Sequence, residues 1–540
     1  MKYVQIFLCF LFIFLFCCFN KAAPQKPVVA TQHDSLKSVE ILPGVKRLEF
    51  RKIDSLTELQ ILSGNVRLKQ GKTIFTCDSC VINNRLKTFD AFGHVHIYDT
   101  DTTQISSDFL RYLTDKRLAY FSKHVRLTDG HGVLTTEDLE YDVNTKIGIY
   151  KNGGKVINKQ TVLTSQEGYY YTDLKDVYFK NHVELKDPAY YIKADSLLYN
   201  TQTETTRFIA ETFIRDSSGR TIETRDGFYN VKTRKAEFGQ RPVIRDGKLF
   251  VTGNDIASDD STGNVQIRGN GLVVDTGQGT SVLANEIFYN KKTDAILATK
   301  KPLMIIKQDQ DSIYITADTL FSARLSDLYG KMDSVLTDTL KGIKVIDTNE
   351  KDSTNRYFEA FRNVRIFSDS LQAVCDSMFY SFRDSVFRLY QHPVVWSNDN
   401  QITGDTILLY TKNKKANKIQ VFNNSFLVNQ LQPGVYDQIK ATRMDGFFKD
   451  GAIDSIRARG MAESIYYIQD EDSAFTGINQ AQSDILDIYF QNKELQRVVF
   501  RSAVKGTMWP ISEKKPDEMK LPNFQWFENR RPKTKFELFE

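Results

Sequence analysis

Apolar and polar residues follow each other along most of this chain in an order that returns about every 29 residues. The order is apolar, any residue, small, acidic or amide, any residue, apolar, any residue, tyrosine, as in "IKADSLLY" at residues 192–199. Copies begin at residues 105, 134, 163, 192, 222, 251 and 282. Self-similarity at a fixed period of this length is typical of repeat architectures, so the sequence predicts a row of stacked structural units.

Within each copy the spacing of the apolar positions changes once, at a polar residue. In the copy at 192–199, Ile192 and Ala194 form one pair, and Leu197 and Tyr199 form another. A spacing of two predicts a β-strand with one buried face. The spacing of three between the pairs predicts a bulge or corner at Asp195, which turns both halves toward the same inner side. We expect equivalent corners at Asp108, Glu137, Asn285, Asp318 and Asp376.

A polar tip follows the tyrosine of each copy, and the repeat then ends with a short alternating strand such as "HVRL" at residues 124–127. Turn-forming residues between β-rich runs predict hairpin tips. Each repeat is therefore an out-and-back pair of bent strands that cannot bury its own apolar face. We predict an all-β fold, an elongated and folded-over β-jellyroll that resembles a solenoid and is built from bent antiparallel strands.

The repeats and the segments between them predict the organisation of the chain. Residues 510–540 hold four prolines and "FQWFENRR", which favours an extended, unpacked tail. We predict these segments: a signal peptide at 1–23, a linker at 24–39, a first repeat block at 40–323, a polar insertion at 324–356, a second repeat block at 357–510 and the tail at 511–540.

The first 23 residues have the pattern of a secretory signal. A lysine precedes an apolar run over residues 3–19, and two alanines follow at 22 and 23. The pattern leaves open cleavage, retention as a membrane anchor, and lipidation at Cys17 or Cys18. We therefore expect an exported protein that is either free or membrane-associated.

Charge and cysteine content exclude several classes of protein. The formal charge of +5 is spread along the chain without a dense basic block, so a nucleic-acid partner is not indicated. Three cysteines follow residue 23, too few for a disulfide framework. Cys77 and Cys80 form a C-x-x-C. Their spacing of three equals the spacing between the two apolar pairs of a repeat copy, across its corner. We interpret it as wall packing, with a disulfide across the bend and a zinc or redox role as alternatives.

Histidine and aspartate recur at fixed positions of the repeat. His94, His124, His182 and His392 precede the short closing strand, where Asn65, Asn264 and Asn363 stand in other copies. The histidines could form a ladder of metal ligands, but the shared position with asparagine favours a bend with unusual backbone angles. Rows of aspartate could suggest a polysaccharide-cleaving enzyme or a calcium site, and we favour capping of the corners by Asp78, Asp108, Asp195, Asp318, Asp376, Asp405 and Asp484.

The repeats resemble those of the OstA/LptA family of lipopolysaccharide-transport proteins. The resemblance is carried by Gly64-Asn65-Val66-Arg67-Leu68, by the line from Ala194 to Tyr199, and by the secretory start. It implies a periplasmic, non-enzymatic β-jellyroll, called a β-taco, that needs no cofactor and whose apolar inner face holds acyl chains. The partners it implies are lipopolysaccharide or lipid A, other β-taco proteins joined edge to edge, and outer-membrane assembly proteins.

Inward apolar pairs are the expected lipid contacts, because burial of acyl chains contributes ~0.8 kcal/mol per methylene. The same side chains could instead form a closed, dry core, as in an exported scaffold or adhesin without lipid cargo. The expected lipid-binding residues are Val66 and Leu68, Val95 and Ile97, Val125 and Leu127, Val183 and Leu185, Leu110 and Tyr112, Leu139 and Tyr141, and Leu197 and Tyr199.

Overall fold

The computed structural model describes residues 39–539, except 100–101, 308–311, 329–354, 414, 450–451, 471, 473 and 492–493. The described residues form antiparallel strands that join into one sheet. The strands of the first half of the chain are β1 (Glu40–Ile41), β2 (Arg47–Lys52), β3 (Glu58–Gln70), β4 (Thr73–Asn83), β5 (Thr88–Tyr98), β6 (Gln104–Leu113), β7 (Leu118–Thr128), β8 (Val133–Asp142), β9 (Ile147–Tyr150), β10 (Gly154–Asn158), β11 (Thr161–Ser165), β12 (Glu167–Tyr171), β13 (Asp176–Lys186), β14 (Tyr190–Asn200), β15 (Thr205–Phe208), β16 (Thr212–Asp216), β17 (Thr221–Thr224), β18 (Asp226–Asn230), β19 (Lys235–Gly239) and β20 (Val243–Asp246).

The second half of the chain continues the same sheet and ends in short 3₁₀ turns. The turns are Pro516–Glu518, Glu528–Arg530 and Glu537–Phe539. Among the described residues, no helix is both long and apolar enough to cross a bilayer. The strands are β21 (Leu249–Thr252), β22 (Asp255–Asp259), β23 (Asn264–Asp275), β24 (Thr280–Asn290), β25 (Ala295–Thr299), β26 (Leu303–Ile306), β27 (Ile313–Thr316), β28 (Thr319–Arg324), β29 (Arg356–Phe367), β30 (Gln372–Ser381), β31 (Val386–Tyr390), β32 (Val394–Ser397), β33 (Asn400–Thr403), β34 (Thr406–Lys412), β35 (Lys415–Gln432), β36 (Val435–Lys449), β37 (Ala452–Gln469), β38 (Phe475–Gln491), β39 (Glu494–Arg501) and β40 (Lys505–Pro510).

Bends divide the long strands into halves that belong to two different walls. The register of β13 against β14 shifts between Lys180 and Val183, opposite Asp195. Before this bend β13 pairs with β12, and after it β13 pairs with β11. We call the wall with β12 the first wall and the wall with β11 the second wall. The predicted corners are confirmed at Asp195 and at Asp108, Glu137, Asn285, Asp318 and Asp376.

Both walls turn their apolar residues toward the space between them. Ile192 of the second wall is 1% exposed, and Leu197 and Tyr199 of the first wall are 0% exposed. These side chains belong to one hydrophobic cluster that extends from Leu62 to Ile488. The folded-over β-jellyroll predicted from the change in spacing is therefore confirmed.

The sheet does not stop at the predicted insertion. On the second wall β27 pairs with β29, and on the first wall β28 pairs with β29. The two repeat blocks therefore share one continuous pair of walls. Residues 329–354, most of the predicted insertion, and the predicted signal peptide at 1–23 lie outside the described residues.

The bends line up along a ridge where the walls meet. Left-handed backbone recurs there, as at His94 (φ 42°) and Asn65 (φ 52°). The bend interpretation is confirmed for these two residues and for His124, His182, Asn363 and His392. It is wrong for Asn264, which begins β23 and pairs with Asn290. That strand bends five residues later, at Gly269 and Asn270, because its "NVQI" precedes the corner rather than following it.

Four of the seven predicted corner aspartates bond the bend of a neighbouring strand. The Nδ1 atom of His94 lies 2.7 Å from Oδ2 of Asp78, and His124 makes the same contact with Asp108. This hydrogen bond and the carboxylate charge raise the pKa of His94 above its ordinary value. Asparagine replaces histidine in two other bends, where Asn363 and Asn424 donate to Asp318 and Asp405.

Cys77 and Cys80 lie in the wall and face the interior. Their side chains are 7% and 0% exposed, and both belong to the hydrophobic cluster as free thiols. The hydrogen bond between them and burial raise the pKa of Cys80. The wall-packing interpretation of this C-x-x-C is therefore confirmed.

The C-terminal segment packs against the outer face of the second wall, so the expectation of an unpacked tail is wrong. Met519 and Leu521 are 5% and 3% exposed and contact Phe426, Val428 and Tyr467. Glutamines on three strands bond this segment, two through its backbone and one through an arginine side chain. Gln438 accepts from Leu521 N and donates to Met519 O, Gln401 does the same with Phe527 N and Gln525 O, and Gln372 accepts from Arg531.

Candidate functional site

The repeat tyrosines close the edge of the first block where the two walls meet opposite the ridge. Tyr112, Tyr141, Tyr170 and Tyr199 are 0% exposed and stand 29 residues apart. The hydroxyl of Tyr112 donates to Oε1 of Gln70 at 2.6 Å, and that of Tyr141 donates to Oδ2 of Asp99 at 2.8 Å. Since each tyrosine is on the first wall and each partner is on the second, these bonds join the walls.

Further polar contacts continue the same closure. Thr201 donates to Oδ2 of Asp129 at 2.7 Å, Asn158 donates to the hydroxyl of Tyr199 at 3.2 Å, and Lys159 pairs with Glu204. Arg220 lies 3.8 Å from Asp260 beyond them. We call this row the seam, formed by Gln70, Asp99, Asp129, Asn158, Lys159 and Arg220 with their first-wall partners.

Burial keeps the seam tyrosines in the form that donates a hydrogen bond. Loss of water around the phenol raises the pKa of Tyr112 to about 12. Burial and the nearby Asp99 carboxylate raise the pKa of Tyr141 as well. Tyr112 and Tyr141 therefore stay protonated at neutral pH and keep their hydrogen bonds to Gln70 and Asp99.

Replacement of Asp99 by alanine is expected to open the seam locally. Its carboxylate is 5% exposed and accepts from Thr73 and Tyr141 and pairs with Lys146. Its removal leaves a partly buried ammonium unpaired, so the free energy of unfolding should fall by about 3–5 kcal/mol. Urea denaturation would measure this fall, and amide hydrogen exchange near residues 143–146 should accelerate. The exposed tip residue Asp115 is the control, where alanine should cost under about 0.5 kcal/mol. Identical urea denaturation curves for wild type and Asp99→Ala would contradict the conclusion that the seam holds the two walls together.

All the expected lipid-binding residues lie inside the first block, and all are tightly packed. Each is between 0% and 2% exposed, and the tyrosines among them also belong to the seam. The structure brings them together in one continuous interior, as the repeat requires. The same tight packing would be found in a closed core without lipid. The role of these residues in lipid binding therefore stays a prediction.

An interior cavity begins where the seam ends. Its volume is about 330 Å³, and its apolar lining includes Leu249, Val273, Val282, Ile296 and Met304. A smaller void of about 40 Å³ adjoins it and shares Leu249, Val273 and Tyr289 with it. The sequence reasoning missed these residues, because core and groove use the same types of side chain.

A change in the repeat explains where the cavity lies. The copies "VTGNDIAS" and "ITADTLFS" end in Ser258 and Ser322, whereas the seam copies end in tyrosine. Ser322 lines the large cavity and Ser258 lines the small void. A serine cannot fill the volume of a phenol or reach the opposite wall. The tyrosine-to-serine change is thus the sequence signal that could have located the cavity.

Charged residues surround the mouth of the cavity. Asp246, Lys248 and Asp275 lie on the second wall, and Asp294 and Arg356 lie on the first. Tyr289 donates to Oδ1 of Asp294 at 3.1 Å, and Arg356 donates to the carbonyl of the same residue at 2.6 Å. Tyr289 and Arg356 therefore bond to a residue of their own wall. In the seam, by contrast, first-wall side chains bond to the second wall. An apolar interior beneath a charged mouth suits an amphiphile, whose chains enter and whose polar group remains outside.

Potential metal ligands do not cluster in the described part of the chain. No group of three or more His, Cys, Asp or Glu side chains there could hold a metal ion. The repeat histidines are committed to the ridge, where His94 and His124 contact aspartates. We take the interior cavity as the candidate functional site because it combines an apolar lining with a charged mouth.

Comparison with known proteins finds a family match and similar solved structures. Residues 41–195 match the family described as OstA-like protein. A search of solved structures finds LptH from Pseudomonas aeruginosa, described as the LptA-homologous periplasmic component of the lipopolysaccharide transport device. It is 11% identical, with a TM-score of 0.19, and the match covers 26% of this chain and 82% of LptH. None of the curated proteins matches the chain.

Proposed function

We propose that this chain is a non-enzymatic periplasmic protein of lipopolysaccharide transport. The match of residues 41–195 to the OstA-like family supports the proposal. In this proposal it holds acyl chains between its walls and passes the amphiphile along them. The observation that carries the proposal is the apolar cavity of about 330 Å³ beneath a charged mouth. Contact with a wall of apolar side chains contributes ~0.8 kcal/mol per buried methylene without any catalytic group.

The ends of the sheet suit edge-to-edge partners. β1 and β2 pair with β3 at one end, and β39 and β40 pair with β38 at the other. A strand edge presents backbone donors and acceptors that another strand can use. We propose that other β-taco proteins, or outer-membrane assembly proteins, add there and extend the apolar interior.

One observation favours the alternative of a structural scaffold. Beneath the seam the core is closed: Leu127 and Leu185, for example, are 0% exposed, and the seam bonds join the two walls over them. A closed core of this kind requires no cargo. The two functions differ in whether lipid reaches the interior.

Photo-crosslinking in growing cells tests the proposal. A photoreactive residue at Val282 or Leu249, inside the cavity, should form adducts with lipopolysaccharide. Lys116, at an exposed tip, should form none. Leu197 and Val183 lie beneath the seam. Adducts from these two positions would show that cargo also passes there. If folded protein gives no lipid adduct from any interior position, the carrier proposal fails and the scaffold is favoured.

A further inference from the structure

A concave basic surface lies on the outer face of the first wall, near the C-terminal end of the sheet. It forms a groove of about 380 Å³ across β35 to β38. One sheet thickness separates it from the interior, since Ile456 and Ile488 on the same strands are buried inward. We call it the basic groove. Its cations, within the groove or at its border, are Lys418, Arg443, Arg457, Arg459, Arg497 and Arg501.

Two carboxylates in the groove are already neutralised by arginines. Asp487 is 2% exposed and accepts from Nε and Nη2 of Arg457 at 2.6 and 3.0 Å and from Nε of Arg501 at 2.9 Å. Hydrogen bonds from Arg457 hold the pKa of Asp487 below its ordinary value. Asp445 accepts from Arg443 and from Gln420. These acids leave the groove with an excess of positive charge.

Aromatic rings lie against three of the groove's cations. The guanidinium of Arg443 lies 4.9 Å from the ring of Phe422, and that of Arg497 lies 4.4 Å from Tyr489. The ammonium of Lys418 lies 5.8 Å from the ring of Phe447. Cations held on ring faces lose little further freedom when an anion binds.

One donor in the groove is buried without a partner. The Nε atom of Arg443 has no hydrogen bond, although its Nη2 atom bonds Asp445. A buried donor of this kind is rare and costs free energy until an acceptor reaches it. Guanidinium groups match the oxygens of phosphoryl groups in geometry and charge.

We propose that the basic groove binds a phosphoryl group, carried on a lipid head group or on a small soluble anion. The excess charge, the aromatic supports and the unsatisfied Arg443 donor all favour an oxyanion with several acceptor atoms. The site is separate from the interior cavity, so it adds a polar contact that acyl burial does not require. It lies beside β39, the strand edge at the C-terminal end of the sheet.

Calorimetric titration of the full chain tests the proposal with two probes. Pyrophosphate represents a soluble anion, and monomeric dihexanoyl phosphatidic acid represents a lipid head group. The variant Lys418→Gln with Arg459→Gln removes two cations that do not bond Asp445 or Asp487, so no buried acid loses its partner. The matched control is Lys180→Gln with Arg207→Gln, on the outer face of the same wall, where Lys180 also lies near two tyrosine rings.

The wild type and the control are expected to bind both probes, and the groove variant should bind at least about tenfold more weakly. Tighter binding of the lipid than of pyrophosphate identifies a head group as the source, and equal binding identifies a soluble anion. The proposal is overturned if neither probe binds, or if the groove variant binds like the wild type. Interior crosslinking from Val282 in the groove variant keeps a failure here distinct from a failure of the carrier proposal.

Discussion

A chain that ends at residue 510 is expected to lose most of the stability of its second block. Removal of the C-terminal segment uncovers a cluster on the outer face of the second wall, including Phe426, Val428 and Tyr467. It also uncovers Trp396, which is 0% exposed and packs near Phe527. Each large apolar side chain contributes about 1.5–3 kcal/mol when buried, so the loss is on the order of 10 kcal/mol. That exceeds the net stability of many domains.

Urea denaturation and hydrogen exchange would measure this loss. Strands β32 to β38 should exchange rapidly in the truncated chain, whereas β4 to β8 should remain protected. Two single substitutions give a matched comparison within the segment. Leu521→Ala, at a side chain 3% exposed, should cost about 2–5 kcal/mol. Phe536→Ala, at a side chain 76% exposed, should cost under about 0.5 kcal/mol. Full protection of the second block after truncation would show that the segment is dispensable.

Restoring tyrosine at Ser258 and Ser322 is expected to close the interior cavity. Both residues stand where the seam copies have tyrosine, and both line the voids. A phenol at each position would occupy the space available to acyl chains. Displacement of three methylenes weakens binding by about 2.4 kcal/mol, which is roughly 60-fold.

Lipid adducts from a photoreactive residue at Val282 should therefore disappear in the double variant. Co-purification of lipid, followed by native mass spectrometry, should show the same loss. Stability should hold, because the added rings fill existing space. Ser218→Tyr, at an exposed turn, is the control and should leave the adducts intact. Undiminished adducts in the double variant would mean that cargo does not use this cavity.

The spacing of apolar residues was enough to predict the bent strands and their common inner side. At Asp195 the change of spacing from two to three fixes the bend, since a flat strand would expose Leu197 and Tyr199. The left-handed bends at His94 and Asn65 were also predictable, because histidine shares its position with asparagine, and both are enriched in left-handed backbone. These features follow from local sequence, which is why they could be read without the structure.

The seam, the cavity and the packed C-terminal segment depend on contacts that local spacing does not contain. Tyr141 donates a hydrogen bond to Asp99, which is 42 residues away in the sequence, and the residues near either one do not predict this pairing. Gln401 and Gln438 look like solvent-facing residues of a strand until a distant segment bonds to them. The basic groove was not predicted for the same reason, since its cations come from separate strands and form no block in the sequence.

The out-and-back path of the strands also limits how the length of the trough can vary. On every pass the chain crosses the ridge from the free edge of one wall, its rim, to that of the other, either as one long bent strand or as two short strands in succession. Each 29-residue repeat therefore adds two strands to each wall and about 10 Å of length. Loss of a single strand would place every later turn on the opposite rim, away from its seam partner. The length of the space between the walls can therefore change only by whole repeats. The six steps from residue 105 to residue 282 alone extend it by roughly 60 Å.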